Sequence, residues 1–183
     1  MSEQQTKRHT MIAWMQDKPG VLNRVASLFR RRNYNIESLA VGHSETEGIS
    51  RMTFVARGSD REMLQIKTQL DKLMNVIDIQ DVTYEPVVMR ELALIKVKAS
   101  NGNRAQVMQL VDIYRARVID VDLDSLIVQI VGPEDRVASF IKLLSNFGIE
   151  EMTRTGRIAM VRGPKSEKQV EVEEAVFASN GNG

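Results

Sequence analysis

The chain has 183 residues, 43% of them hydrophobic, which suits one large or two small domains with real cores. Lys+Arg 25 against Asp+Glu 24 leaves a formal net charge of +1, so no global field favours nucleic acid or a membrane surface. The absence of cysteine excludes disulfides, thiolate nucleophiles and thiolate metal sites. No apolar run reaches membrane-spanning length, and the polar start Ser2-Glu3-Gln4-Gln5-Thr6-Lys7-Arg8 is unlike a secretion signal, so a soluble, cytoplasmic protein is expected.

In chain order, an apolar strand is expected over Met11 to Met15. It turns through Asp17-Lys18-Pro19-Gly20 into a helix from about Gly20 to Arg32, with Pro at the helix start and Val21, Leu22, Val25, Leu28 and Phe29 on one buried face. Asn33, a residue type tolerant of the left-handed region, is expected to end that helix. Ile36 to Val41 reads as a strand, Ser44 to Gly48 as a polar hairpin tip and Ser50 to Ala56 as the returning strand. Ser59 with Glu62 three residues on is a capping-box signature, opening a second helix with a core face of Met63, Ile66, Leu70, Leu73 and Met74. Ile77 to Tyr84 closes the pattern as a strand.

Glu85-Pro86 begins a short connector, and the pattern then recurs. Leu92 to Ala99 is a strand with Ala93, Ile95 and Val97 on one face. A helix carrying Val107, Leu110, Val111 and Tyr114 follows it. Val118 to Leu123 and Leu126 to Val131 form a hairpin around Asp124-Ser125. Pro133 opens a helix with Val137, Phe140, Ile141 and Leu144 on its core face, which Gly148 can end, and Ile158 to Val161 is a late strand. Two consecutive β-α-β-β-α-β units imply an α+β fold of two tandem ferredoxin-like sandwiches, each a sheet with helices on one face.

The junction of the first strand and helix carries the most information. A helix start exposes backbone N–H groups that its own turns cannot satisfy, and these attract an anion. Gly20 lets a ligand approach that backbone closely, and Asn35 in the Asn33-Tyr34-Asn35-Ile36-Glu37-Ser38 return can offer an amide oxygen to an ammonium group. Together they suggest a pocket for a free amino acid, beside the plainer reading of an ordinary strand–turn–helix.

No catalytic constellation accompanies it. His9 and His43 are the only histidines, lack metal-ligand spacing and are expected at the surface. Gly156 to Gly163 lacks the spacing of a phosphate loop, and Asp120, Asp122 and Asp124 alternate along a strand as a solvated face. Arg30-Arg31-Arg32 sits where a helix macrodipole favours cations. A sheet-based RNA reader would need exposed aromatics, and Phe54 stands nearly alone on its strand. These residues do not describe an enzyme.

The strings Asp17-Lys18-Pro19-Gly20-Val21-Leu22-Asn23-Arg24-Val25, Asn33-Tyr34-Asn35-Ile36-Glu37-Ser38-Leu39 and Ser50-Arg51-Met52-Thr53 resemble those of an ACT domain, a ligand-sensing α+β module. With Arg90-Glu91-Leu92-Ala93-Leu94-Ile95-Lys96-Val97 and Ile119-Asp120-Val121, the resemblance extends over about residues 8 to 162 to the regulatory (small) subunit family of acetolactate synthase, also called acetohydroxyacid synthase. It implies an effector-sensing ACT domain over 8–84 after an N-terminal extension over 1–7, then a linker over 85–90 and a C-terminal ferredoxin-like domain over 91–163. The stretch over 164–183, outside the resemblance, is charged and rich in small residues and is expected to be a disordered tail.

The resemblance further implies a non-catalytic chain that itself holds no cofactor. Its partner, the large catalytic subunit, would carry thiamine diphosphate, magnesium and FAD and condense pyruvate with a second 2-keto acid in branched-chain amino-acid biosynthesis. The small subunit would raise that activity and confer feedback inhibition by a branched-chain amino acid, usually valine. A homodimer through the ACT domains would hold the effector at its interface. The pocket would then use Asp17, Pro19, Gly20, Val21 and Leu22 of one chain, with Asn35 and Ile36 from its neighbour. In this picture the backbone N–H groups of Gly20, Val21 and Leu22 take the carboxylate. Asn35 and Asp17 take the ammonium, and Val21, Leu22 and Ile36 touch the aliphatic side chain. A stand-alone amino-acid sensor acting on another enzyme or on transcription is the alternative, and an RNA-binding module a more distant one.

Overall fold

The structure, a computed structural model, describes residues 6–32 and 34–163. Asn33 as a helix stop and the expected disordered tail from residue 164 lie outside the described residues. The chain divides into two compact units, one running to Val88 and resuming at Ala159, the other Met89–Ile158.

The first unit begins with β1 (Lys7–Gln16), α1 (Val21–Arg31), β2 (Ile36–His43), β3 (Ile49–Gly58), α2 (Asp60–Leu70) and β4 (Val76–Asp81). Its sheet is antiparallel in neighbouring pairs, with order β2-β3-β1-β4, so β2 and β4 are its edges. Met11, Ala13 and Met15 of β1 and Met52, Phe54 and Ala56 of β3 alternate onto one face. There they pack on Val21, Val25, Leu28 and Phe29 of α1 and on Met63, Ile66 and Leu70 of α2. Phe29 meets Phe54 edge to face with ring centroids 5.1 Å apart, so Phe54 is a core anchor with no face to offer a base. The opposite face of this sheet is not wet either, since Thr10, Ile12, Thr53 and Val55 are buried.

Three expectations fail here for identifiable reasons. Leu22 is exposed although it lies only about 20° around the helix from Phe29, because it sits in the first turn, at the open end of α1 beside exposed Pro19 and Gly20. Met74 is 91% exposed, because α2 ends at Leu70 and helical spacing no longer places the residues beyond it; Leu73 still packs partly on the core. His9 is fully buried. It shares the helix-facing side of β1 with Met11, and its Nδ1 lies 3.1 Å from Asp81 Oδ2, while His43 is exposed as expected. Charged neighbours in sequence mask the inward position of His9.

The second unit holds most of β5 (Val87–Lys98), then α3 (Arg104–Ile113), β6 (Arg117–Val121), β7 (Ser125–Gly132), α4 (Glu134–Leu144), a single 3₁₀ turn (Ser145–Phe147) and β8 (Ile149–Arg154). The sheet order is β6-β7-β5-β8, and β9 (Ile158–Val161) also pairs with β5. Its core joins Ala93, Ile95 and Val97 to Leu126, Val128 and Ile130, beneath Val107, Val111, Val137, Phe140 and Leu144. The strand that closes this βαββαβ unit is β8, which the sequence reading passes over in favour of Ile158–Val161. Only Ile149 of β8 faces the core, so its hydrophobic alternation is almost silent. Its identifying feature is Arg154, which donates twice to the buried Glu91 carboxylate at 2.9 and 2.7 Å. Strand β5 begins at Val87, within the segment expected as a linker, and β6 stops at Val121. Asp122 and Asp124 therefore lie in the turn rather than on a strand face.

Candidate functional site

Strand β1 delivers the chain into a short connection, Asp17-Lys18-Pro19-Gly20, that is tied on both sides. Asp17 N–H donates to the Gly48 carbonyl at the hairpin tip, 2.8 Å, and Gln16 N–H to that of Asn75, 2.9 Å. Arg24 on α1 donates to Asn75 Oδ1 at 2.6 Å, and the Asn75 amide donates to Gln16 Oε1 at 2.8 Å. Asn75 is thus the brace that fixes where α1 begins, a positioning role without a local sequence signal.

Gly20, not Pro19, is the residue that caps α1. It stands at φ +83°, ψ −7°, a left-handed conformation that costs a residue with a side chain about 1–2 kcal/mol. Pro19 therefore precedes the cap instead of occupying the first helical position. No side chain caps this helix, its first turn carries no acidic residue, and a Cβ built on Gly20 would meet nothing within 4 Å. Val21 N–H is taken by the Lys18 carbonyl at 3.3 Å, whereas Gly20 and Leu22 N–H have no intramolecular acceptor among the described residues. An exposed helix start with open space in front of it is an anion cradle.

The surrounding side chains divide in two. Val21 is buried in the core, so it can offer a ligand its backbone and not its side chain. Asp17, Pro19, Gly20 and Leu22 are exposed at the opening. His43, 87% exposed at the end of β2, brings Nδ1 within 3.3 Å of Asp17 Oδ2; the sequence reading did not place it here.

Asn35 and Ile36 are elsewhere in the same chain. Ile36 pairs with Ala56, which pairs with His9, whereas His43 pairs with Ser50, which pairs with Met15. Six rows of sheet, about 20 Å at 3.3 Å per residue, separate the end of β2 at His43, beside which α1 begins, from its start. There Asn35 is exposed, Ile36 packs partly on the core, and Glu37 is gripped by Arg57 at 2.8 Å and Arg8 at 2.7 Å. The hydrogen bond from Arg57 holds the Glu37 carboxyl below its ordinary value. A single chain does not bring the two groups of predicted residues together.

Residues 12–78 match the family model for the ACT domain of small subunits like that of acetohydroxyacid synthase, and residues 90–163 match the model for the small subunit of acetolactate synthase. The acetolactate synthase small subunit of Mycobacterium bovis is 48% identical over 159 residues, spanning 87% of this chain and 95% of that one. That of Mycolicibacterium smegmatis is 43% identical over 160 residues, covering 87% and 94%. The crystal structure of the acetolactate synthase small subunit from Thermotoga maritima superposes with a TM-score of 0.81 at 39% identity, covering 87% of this chain and 99% of that one. With a buried ACT core, an uncapped helix start and these matches across both units, the chain belongs to the acetolactate synthase small-subunit family, as a regulatory rather than catalytic subunit.

Proposed function

We propose that this chain binds a branched-chain amino acid, valine in the first instance, and conveys its presence to the catalytic large subunit of acetolactate synthase. In this reading the large subunit carries thiamine diphosphate, magnesium and FAD, and the small subunit raises its activity until the end product binds. The observation that carries the reading is the opposed placement of the two half-sites. The open start of α1 lies at one end of the sheet, and Asn35 lies at the other.

A twofold axis resolves that separation. Among the described residues strand β2 is an edge of its sheet, and Leu39 and Val41 on it are exposed. Two β2 edges paired antiparallel set Ile36 of one copy against His43 of the other. That places the second copy's Asn35 beside Asp17 and the Gly20 cradle, and the symmetry makes two such sites. The carboxylate of the amino acid meets the N–H groups of Gly20 and Leu22. Asn35 and Asp17 accept from its ammonium, and Leu22 and Ile36 border the side chain. Valine binding then favours one arrangement of the dimer. By reciprocity the catalytic subunit weakens valine binding by the same factor, a coupling of about 1–3 kcal/mol.

Mixing tests this directly. Gly20→Asp chains and Asn35→Ala chains should each bind valine poorly as homodimers. Exchange between them should restore about a quarter of the sites, since half of a random twofold population is mixed and each mixed dimer holds one intact site. Calorimetry that finds no recovered binding after verified exchange would remove the shared site.

A further inference from the structure

Arg51 is half-buried on β3 and makes two contacts that join separate segments of the chain. Its guanidinium lies over the Trp14 ring, 5.4 Å from the centroid, and its Nη2 donates to the Ala159 carbonyl at 2.6 Å. Burial pulls its proton affinity below the usual guanidinium value, while Glu45 acts in the opposite sense. A cation that is partly desolvated yet bonded to a neutral carbonyl is held there by geometry and packing more than by attraction between charges.

Its bonding partner matters. The chain crosses between the two units at only two peptide bonds, Val88–Met89 and Ile158–Ala159. Those crossings are joined, because β9 pairs with β5 and Arg162 N–H donates to the Pro86 carbonyl at 2.7 Å. Arg51 itself pairs with Trp14 and with Gly42 of the edge strand, one row from Ser50 and His43. A shift of β2 against its neighbours therefore bears on the row that holds Arg51.

We infer that Arg51 is a positioning residue for regulation, tying the row beside the effector opening to the paired strands by which the chain enters and leaves the second unit. This rests on the effector reading given above. Arg51 touches no ligand in that reading, so its loss should uncouple binding from response.

The chain's single tryptophan supplies an independent reporter, since Trp14 lies directly under the guanidinium. Full-length Arg51→Ala should bind valine by calorimetry within about twofold of the parent, yet lose inhibition of the reconstituted enzyme by about tenfold or more in the concentration required. The valine-induced change in Trp14 emission should disappear with it. Arg51→Lys, which keeps a cation and one donor, should recover part of both responses and serves equally should the alanine variant fold poorly. Parent-like inhibition and emission in Arg51→Ala overturns the inference, as does a loss of valine affinity equal to the loss of inhibition. A parent protein that binds no branched-chain amino acid overturns the effector reading first, and this assignment with it.

Discussion

Helices α1 and α2 pack on the same face of one sheet, and each follows directly from a strand, yet their first turns are opposites. At α2, Ser59 accepts from Glu62 N–H at 3.4 Å. Glu62 Oε2 accepts in return from Ser59 N–H at 2.7 Å, and Asp60 adds negative charge to the first turn. At α1 the cap is a left-handed glycine, acid and capping side chain are both missing, and the space in front is open. In the second unit α4 carries Glu134 and Asp135 in its first turn. At α3 side-chain cap and first-turn acid are also missing, but the backbone carbonyls of Ser100 and Asn103 take the N–H groups of Arg104, Gln106 and Val107 at 2.9–3.1 Å. A helix start that serves only the fold tends to be completed from within, and one left incomplete is available to an anionic guest.

Closing the open start should have the largest effect. Gly20→Asp introduces a carboxylate where the guest's carboxylate must sit, and binding should weaken by at least the 1.5–3 kcal/mol of a charge-assisted bond, about tenfold to a hundredfold. The left-handed backbone confounds that variant, because any side chain there is strained. Gly20→Asn shares the strain without the charge, so calorimetry on the pair isolates electrostatics. Equal valine affinities in the two would mean that the cradle is steric, and the contrast between the helices would lose its charge component.

Opening the closed start should act on stability alone. Ser59→Ala removes the cap at α2 and should cost about 1 kcal/mol by chemical denaturation, with valine affinity unchanged. A comparable loss of affinity would mean that the two helix starts are coupled and not separate designs.

The smallest effect is one of pH. Hydrogen bonds from Ser59 N–H and hydroxyl hold the Glu62 carboxyl below its ordinary value. A depressed carboxyl contributes stability that is fully present above its unfolded pKa, about 4.3, and is lost as pH falls through the folded value. The stability advantage of the parent over Glu62→Gln should therefore be widest near neutrality and shrink on acidification below about pH 4. An advantage that grows in acid would show that the box is not held by the ionised form.

Much of this was legible residue by residue. The Ser59–Glu62 box, the alternation of Ala93, Ile95 and Val97 and the Val21-Val25-Leu28-Phe29 stripe are local patterns whose spacing matches one backbone period, and the structure keeps each. The start of α1 beside Gly20 was legible too, because a Pro-Gly pair after an apolar strand is a signal carried by one turn. Strand β8 escaped because a strand with one core-facing residue has no pattern to read, and its anchor, Glu91 with Arg154, spans 63 residues.

The sequence by itself determined the two βαββαβ units and where the first two helices begin. These follow from short-range periodicity and from the chemistry of single side chains. Only the tertiary structure decided that His9 is buried and that Leu22 faces solvent. It alone placed Asn35 and Gly20 at opposite ends of the sheet and set Arg51 between Trp14 and Ala159. Such relations depend on strand order and register, which bring distant segments together or keep near ones apart, and no local period encodes them.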